Sequence, residues 1–308
     1  MRIFVTGASG WIGSALVPEL IAAGHQVVGL ARSDASAAAL TAAGAETVRG
    51  TVDDHDVLAG AAAASDGVVH LAFKHDIAFS GNFQGAAEAD RRAVDALGEA
   101  LAGTGRPFVL ASGVAGLGPG RVATEQDMPA ADGSPASARM ATSMAVLALA
   151  ARGVRSCVVR LSPTCHGDGD AGFMASLVAV ARAKGVSGYI GDGANRWPAV
   201  HRLDAARMFQ LAVERAPAGS VLHGVADEGV AIRDIAEVIG RHLDLPVTSV
   251  APEEAAGHFG WLAGFLGSDI PASNALTREL IDWRPVHPGL LDDLDKGHYF
   301  ATPAPAAT

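Results

Sequence analysis

The sequence predicts an α/β protein built on one doubly wound parallel sheet, with a smaller lobe in its C-terminal half. Short apolar segments alternate with alanine-rich segments of helical length from the first residue to about residue 160, which is the pattern of consecutive βαβ units. A glycine-rich turn joins the first apolar segment to the first helical one. With 308 residues, the chain is long enough for a large α/β domain and a smaller lobe.

The alternating half has the element lengths expected for right-handed crossovers in one sheet. Strands are predicted over residues 2–6, 25–31, 46–50, 67–72, 107–112 and 154–160. Helices are predicted over residues 11–24, 34–43, 54–64, 82–104 and 138–152. We therefore expect residues 1–160 to form the core domain.

Beyond residue 160 the alternation loosens, and we expect a substrate lobe over residues 161–300 that returns in part to the core. The predicted elements there are helices near 172–185, 204–215 and 230–243 and a short strand at Gly188-Tyr-Ile. Residues 301–308 are Pro/Ala-rich and predict a loose tail. A Gly/Pro-rich loop from Gly113 to Ala138 predicts a mobile lid, because loops of that length in compact domains are usually functional.

Charge and composition restrict the partners. The formal net charge is −10 without clustered Lys or Arg, which argues against nucleic acid or an anionic membrane as partner. No apolar run approaches the about 20 residues that a membrane span needs, and Cys157 and Cys165 show no Cys-x-x-Cys spacing. We expect a cytoplasmic protein that acts on a small molecule. The acidic run at 53–56 predicts a helix start rather than a metal site.

The turn after the first strand reads Thr6-Gly-Ala-Ser-Gly-Trp-Ile-Gly13 and runs directly into a helical pattern. Such glycines turn the chain tightly, let the backbone approach a pyrophosphate, and let helix and strand pack closely. The helix N-terminus then points at the phosphates. The strand–turn–helix context makes this a credible dinucleotide-binding motif of the Rossmann type.

Five segments together carry a family resemblance. They are the glycine motif, Asp66-Gly-Val-Val-His-Leu-Ala72, Arg160-Leu-Ser-Pro-Thr-Cys-His-Gly167, Trp197-Pro-Ala-Val-His-Arg-Leu-Asp204 and Leu276-Thr-Arg-Glu-Leu-Ile-Asp-Trp-Arg-Pro285. The chain in this respect resembles the extended short-chain dehydrogenases/reductases of the epimerase/dehydratase type over nearly its whole length. The resemblance implies a Rossmann-type core, a smaller C-terminal α/β substrate lobe, and a substrate cleft between them.

The end of the second strand predicts a preference for NADP(H). An NAD-preferring protein is expected to place an acidic residue there, whereas this chain has Arg32 followed by Ser33. A guanidinium can form a charge-assisted pair of hydrogen bonds to a 2′-phosphate. The predicted cofactor-binding residues are Gly7, Ser9, Gly10, Trp11, Ile12, Gly13, Arg32, Ser33, Thr51, Val52, Leu71, Ala72, Phe73, Ser112, Leu161 and Pro163.

The family's catalytic pattern fails in this chain. The resemblance implies a Tyr and a Lys four residues later on one helix, but Arg139 falls in the tyrosine position and Ser143 in the lysine position. Ser112 matches the family's Ser/Thr position or lies one residue before it, in which case Gly113 leaves that position empty. Arginine is a poor proton donor, although it can stabilise an oxyanion.

A different proton donor is therefore expected, and His75 is the sharpest candidate. It follows the fourth strand at the sheet edge where ligands bind in open α/β sheets, with Lys74 before it and Asp76 after it. Histidine is the usual acid or base near neutral pH. His166 is a weaker candidate, and His201 is expected to be structural. The predicted catalytic set is His75, Ser112, Arg139 and Ser143.

The sequence leaves three functions open. The first is an NADP(H)-dependent oxidoreductase acting on a small, fairly apolar carbonyl, alcohol, imine or activated alkene. The second is a non-catalytic protein that senses NADP(H), and the third is a sugar-nucleotide epimerase or dehydratase. The resemblance also implies a homodimer built from the helices over 82–104 and 138–152, where Ala141, Ala145 and Ala148 share one face.

Overall fold

The computed structural model describes residues 1–118, 120–128 and 135–301. Its strands are β1 (Arg2–Thr6), β2 (Gln26–Ala31), β3 (Glu46–Arg49), β4 (Gly67–His70), β5 (Pro107–Gly113), β6 (Arg155–Leu161), β7 (Thr164–His166), β8 (Ser187–Ile190), β9 (Arg196–His201), β10 (Ser220–Gly224), β11 (Asp227–Ala231) and β12 (Val247–Val250). Its helices are α1 (Gly13–Ala22), α2 (Asp34–Ala42), α3 (His55–Ala63), α4 (His75–Phe79), α5 (Phe83–Leu101), α6 (Pro135–Ala148), α7 (Phe173–Lys184), α8 (Arg202–Arg215), α9 (Ile232–Leu243), α10 (Ala255–Phe259), α11 (Ala263–Leu266), α12 (Ala275–Ile281) and α13 (Leu290–Asp295).

The main sheet is parallel throughout its described strands and confirms the predicted fold class. Its seven described strands follow the order β10-β6-β5-β4-β1-β2-β3, so the chain reverses direction across the sheet between β1 and β4. Val5 is registered with Val69 across that pair. In doubly wound sheets, ligands bind beyond the carboxyl ends of the strands at this reversal, which is where the glycine turn after β1 lies.

Alternate residues of the strands supply the two faces of the sheet. Ile3 and Val5 pack on one face with Leu16 and Leu20 of α1 and Phe209 of α8. On the other face, Phe4 packs with Leu58 of α3, Leu97 of α5 and Val146 of α6, among others. Burial on both faces explains why the strands read as continuous apolar segments.

The C-terminal lobe has its own apolar core. Its strands form two small groups, β11-β9-β7 and β12-β8. Trp197 of β9 is buried there against Met174 of α7 and Ile235 and Ile239 of α9, among other side chains. None of the helices in the described ranges is long and apolar enough to cross a membrane.

The structure departs from the predicted elements mainly after β6. The helix predicted near 204–215 is present as α8, which begins two residues earlier at Arg202, but the strand β9 that precedes it was not predicted. The strands β7, β10, β11 and β12 and the short helix α4 were not predicted. These strands are only 3 to 5 residues long, too short for a clear period-2 pattern. β10 lies in the main sheet beside β6.

Part of the predicted lid is anchored to the C-terminal lobe. Ala123 and Ala272 form a bridge, and the buried carboxylate of Glu125 accepts hydrogen bonds from the Thr277 amide and hydroxyl, both at 2.7 Å. Arg160 Nη1 donates to the Asp127 carbonyl oxygen at 2.9 Å. Residues 119 and 129–134 of the predicted lid lie outside the described residues, so closure of the lid stays a prediction.

Candidate active site

The turn between β1 and α1 leaves no room for side chains at its glycines. Gly7 has a φ of +66°, and a Cβ there would lie 2.8 Å from the Ala72 amide nitrogen. A Cβ on Gly13 would lie 2.1 Å from the Gly7 carbonyl oxygen. The Gly10 amide donates to that same oxygen at 2.9 Å. The sequence Gly7–Gly13 therefore folds into a tight cradle that connects β1 and α1 and contacts the end of β4.

This cradle fits a dinucleotide. Helix α1 begins at Gly13, and its N-cap, Ile12, makes no side-chain cap hydrogen bond. The Ser14 amide donates to the Gly10 carbonyl oxygen at 2.9 Å within the turn, and this end of the helix favours negative charge. Together with the close glycine backbone, this is the arrangement that binds pyrophosphate in dinucleotide-binding proteins.

The residues expected at the ribose end lie after β2. The Arg32 side chain is exposed, and no hydrogen bond engages its guanidinium within the part of the chain that the structure describes. Ser33 is the N-cap of α2: its hydroxyl accepts from the Ser36 amide at 3.1 Å and also contacts the Ser36 hydroxyl. Ser33 must turn away from Ser36 before it can donate to a phosphate. Arg49 adds a second guanidinium nearby, paired with Asp34 at 2.6 Å.

Thr51 and Val52 lie in the turn between β3 and α3. The Thr51 amide and hydroxyl both donate to Asp54, at 2.7 and 2.9 Å, and these bonds hold the pKa of that carboxyl below its usual range. Asp53 is paired instead with Lys74 at 2.5 Å. Asp54 thus organises the start of α3, and Asp53 pairs with Lys74 just after β4. The described residues contain no metal-binding cluster.

Trp11 connects the glycine turn to the C-terminal lobe. Its indole Nε1 donates to the Cys165 carbonyl oxygen at 2.8 Å, and the Arg202 guanidinium carbon lies 4.1 Å from the centre of the indole ring system. Arg202 also donates to the Ser14 hydroxyl at 3.0 Å. Trp11 is therefore engaged by protein at its edge and on one face, which fixes the turn against the β7–α8 region.

A buried polar chain runs beneath the ends of β1 and β4. His70 Nδ1 and the Thr6 hydroxyl form a hydrogen bond of 2.7 Å, and His70 Nε2 lies 3.2 Å from a carboxylate oxygen of Asp90 on α5. The Ala72 amide donates to the same Thr6 hydroxyl at 3.2 Å. The chain fixes the start of the β4–α4 segment, where Leu71, Ala72 and Phe73 follow the strand.

The cleft beyond β4 and β5 brings both Arg139 and His75 against one aromatic ring, that of Phe73. The Arg139 guanidinium carbon lies 4.0 Å from the centre of the Phe73 ring, and Arg139 Nη2 donates to the Ala111 carbonyl oxygen at 3.3 Å. The His75 ring meets Phe73 edge-on, with ring centres 5.1 Å apart. The predicted tyrosine position therefore places a cation at the carboxyl ends of β4 and β5.

The two serines of the predicted catalytic set are in direct contact. Ser143 of α6 donates to the Ser112 hydroxyl at 2.9 Å and lies 3.3 Å from the Arg139 carbonyl oxygen. Both serines are buried. In place of a lysine that would lower a tyrosine pKa, the helix supplies a neutral hydroxyl that orients Ser112.

The electrostatic surroundings of His75 depress its basicity. Partial burial at the cleft lowers the His75 pKa below its usual value of 6.5, and the Arg139 charge lowers it further, against opposing contributions from Asp76 and Asp90. The ring nevertheless keeps substantial exposure to solvent. A histidine of this kind can exchange a proton with both a ligand and water.

The other predicted candidates lie in the C-terminal lobe. His166 is buried, with Nδ1 bonded to Asp293 at 2.9 Å, and His201 is the N-cap of α8. The Tyr299 hydroxyl donates to Asp170 at 2.9 Å, and Tyr189 packs in the lobe's apolar core. His166, His201 and both tyrosines of the chain are thus engaged with other groups of the C-terminal lobe.

The structure thus collects the predicted residues at one edge of the main sheet. Just after the carboxyl ends of its strands lie the glycine turn, Arg32, Ser33, Thr51, Val52, Leu71–Phe73 and Pro163, whereas Ser112 and Leu161 are among the last residues of β5 and β6. Contacts unite His75, Ser112, Arg139 and Ser143 around Phe73 and the end of β5. The sequence reasoning missed Asp90, whose signal was a lone acid among Ala86, Ala87, Ala89 and Ala93 on the buried face of α5.

Comparison with known proteins identifies the family of the chain. The family model described as NAD dependent epimerase/dehydratase family matches residues 3–223. An uncharacterized protein of Schizosaccharomyces pombe is 48% identical over 302 residues, covering 97% of this chain and 100% of that one. An uncharacterized protein of Saccharomyces cerevisiae is 43% identical over 296 residues, covering 96% and 98%.

Among solved structures, the fold is similar to that of the dTDP-glucose 4,6-dehydratase DesIV from Streptomyces venezuelae, determined with NAD and TYD bound. The TM-score is 0.75, the identity is 22%, and the match covers 97% of both chains. At this identity the likeness concerns the fold.

Proposed function

The chain belongs to the NAD dependent epimerase/dehydratase family, and from that membership and the cleft geometry we propose that it is an NADP(H)-dependent oxidoreductase. Its substrate is a small, mostly apolar carbonyl, alcohol, imine or activated alkene. The observation that carries the proposal is the meeting of Arg139, Phe73 and His75 at the ends of β4 and β5. The motif-based resemblance to extended short-chain dehydrogenases/reductases is confirmed by the family match and the sheet order.

The cofactor site follows from the cradle and its surroundings. The Gly7–Gly13 turn and the N-terminus of α1 would hold the pyrophosphate, and the exposed Arg32 would hold the 2′-phosphate of NADP(H). Arg49, already paired with Asp34, adds positive potential at the same end. When bound, the reduced nicotinamide supplies a hydride.

The protein's part in the reaction is to hold the substrate and to move one proton. In the reducing direction, protonated His75 donates its proton to the substrate oxygen or nitrogen and becomes neutral imidazole, which water reprotonates. Ser112, oriented by Ser143, donates a hydrogen bond to the same atom. The Arg139 guanidinium helps to hold the substrate by offering positive charge to a negatively charged group. Phe73 supplies an apolar wall.

The test is a cofactor-oxidation screen. Purified protein is mixed with NADPH or NADH and a panel of ketones, imines and enones, and loss of the reduced-nicotinamide absorbance is followed. The proposal expects turnover of at least one class, faster with NADPH than with NADH at equal subsaturating concentration. An absence of turnover across the panel, with tight NADPH binding in a titration, would contradict it and support a sensor.

That second function, a non-catalytic NADP(H) sensor, is favoured by one observation. The positions that carry Tyr and Lys in the resembled family are occupied by Arg139 and Ser143, both engaged with the end of β5. A sugar-nucleotide epimerase or dehydratase remains the last-ranked alternative, because its chemistry would use the same tyrosine position.

We further propose that the protein forms a homodimer through α5 and α6. Ala141 and Ala148 of α6 are exposed, as is Met144 between them, so a second copy could approach closely there. Light scattering at micromolar concentration should give the mass of a dimer, and Ala141→Arg should reduce it to a monomer. A monomeric mass for the unaltered chain would exclude the proposal.

A further inference from the structure

The charge of Arg139 is poorly compensated within the protein. Its Nε is buried without a hydrogen-bond partner among the described residues, and no carboxylate in those ranges forms an ion pair with it. Among the described residues, the guanidinium makes one hydrogen bond, from Nη2 to the Ala111 carbonyl oxygen. A buried cation without a partner is costly, which makes this position suited to an incoming anion.

The guanidinium is also held in place before any ligand arrives. It stacks on Phe73 at 4.0 Å, and Phe73 is itself braced by Phe83, with ring centres 5.7 Å apart. Stacking fixes the plane of the guanidinium, and within that plane Nε makes no hydrogen bond to the described residues. A fixed, planar pair of donors matches the two oxygens of a carboxylate.

Apart from the nearby Asp90 and His75, the described groups around Arg139 include apolar and neutral side chains. Met140, next to Arg139 on α6, is buried and its sulfur lies 4.0 Å from the Ser112 hydroxyl. Phe73 and Phe83 form the facing side. In such surroundings a charge pair is screened less than in water, so a single negative group on a mostly apolar ligand would gain most from this site.

Asp90 is the acidic group whose field reaches Arg139. Its carboxylate is already hydrogen-bonded to His70 at 3.2 Å. Burial still lowers the Arg139 pKa despite the attraction to Asp90, so that attraction does not offset the loss of water around the guanidinium. His75, which also contacts Phe73, adds no negative charge.

Resting on the proposed function, we propose that the substrate is a small oxo acid, a carbonyl compound with one carboxylate that Arg139 binds. The carboxylate occupies the edge of the guanidinium, and the carbonyl oxygen reaches His75 and Ser112. Arg139 is then a specificity-determining residue that touches the substrate rather than a proton donor.

The experiment compares each acid with its neutral partner. The probes are pyruvate, acetoacetate, levulinate and benzoylformate, each beside its methyl ester. Affinity is measured by calorimetry for the chain saturated with NADP⁺, which cannot reduce them, and turnover is measured separately with NADPH. Expected is at least one acid that binds about tenfold or more tightly than its ester, the effect of a charge-assisted pair of hydrogen bonds.

Variants assign the selectivity to Arg139. Arg139→Met should reduce the acid-to-ester ratio to about one, and Arg139→Lys should keep part of it, since the charge remains but the planar fork is lost. Arg278→Met, at an exposed position on α12, is the matched control and should change nothing. The acid and ester comparison in the unaltered chain stands even where Arg139→Met does not fold.

The outcomes separate this inference from the proposed function. Equal binding of acids and esters, or selectivity that survives Arg139→Met in folded protein, overturns the inference. If neutral carbonyls are turned over with no preference for acids, the oxidoreductase function stands and the carboxylate site is wrong. Arg139-dependent binding of acids with no turnover of any probe supports the anion site and contradicts the catalytic function.

Discussion

The Ser143 hydroxyl lies 2.9 Å from the Ser112 hydroxyl, which joins the middle of α6 to the end of β5 inside the cleft. In the resembled family the position of Ser143 carries a lysine that serves a tyrosine. Here α6 supplies the Ser143 hydroxyl, which contacts the Ser112 hydroxyl of β5, and a guanidinium one turn earlier, at Arg139. The fold of the family is kept, and we propose that the proton donor is instead His75, which follows β4.

Cofactor choice is the first prediction. Arg32→Ala should weaken NADPH binding tenfold or more and leave NADH binding nearly unchanged, because each lost charge-assisted hydrogen bond costs about 1.5–3 kcal/mol. Fluorescence titration of both cofactors measures this, and Arg278→Ala is the exposed control. Equal affinity of the unaltered chain for NADH and NADPH would refute the preference.

The pH dependence of reduction is the second prediction. His75 must be protonated to donate, and burial together with Arg139 lowers its pKa from 6.5, so kcat/KM for reduction should fall as pH rises through a value below 6.5. Arg139→Met removes one lowering influence, and the falling limb should move to higher pH. If the falling limb keeps its position in an active Arg139→Met protein, the pKa of the titrating group does not depend on Arg139.

Acid stability of the C-terminal lobe is the third prediction. Burial, with the nearby His166, lowers the pKa of His201 to about 4, and the ring stacks on His287 with centres 4.7 Å apart. In the unfolded chain the His201 imidazole has a pKa of about 6.5, whereas in the folded chain its pKa is about 4. Stability should therefore fall as pH drops from about 6.5 to 4.

The matched variant is His201→Asn, which can still cap α8 but does not titrate. Urea unfolding across this pH range should show a flatter dependence in the variant. Burial raises the Asp293 pKa, but the hydrogen bond and charge of His166, with smaller effects, lower it below its usual value. Protonation of Asp293 should therefore reduce stability further at lower pH. An unchanged slope between pH 6.5 and 4 would show that His201 does not titrate on unfolding.

Much of the core domain could be predicted from sequence, because βαβ units leave strong local signals. Long apolar strands such as β1 and β6 and the Gly7–Gly13 turn have one structural solution each, set by backbone geometry and two-sided burial. The C-terminal lobe gave weaker signals. β9 contains Pro198 and ends in His201, and its strand character depends on pairing with β7 and β11, which lie far apart in the chain.

The sequence could predict which residues belong to the candidate site but not how they contact one another. Arg139 and Ser143 could be assigned by spacing, whereas the stacking of Arg139 on Phe73 depends on how α6 packs against the end of β4. The hydrogen bond between Asp90 and His70 likewise joins α5 to β4 across 20 residues of sequence. Contacts of this kind arise only when the sheet and its helices are assembled.

The most direct measurement is the turnover of His75→Ala with NADPH and whichever carbonyl substrate the screen identifies. Reduction should slow by at least about 100-fold, the lower end of what general acid catalysis provides, while the dissociation constant for NADPH stays unchanged. Tyr189→Phe, in the apolar core of the C-terminal lobe, should leave turnover near that of the unaltered chain. Near-normal turnover in His75→Ala, or turnover lost only in Tyr189→Phe, would contradict a proton path through the end of β4.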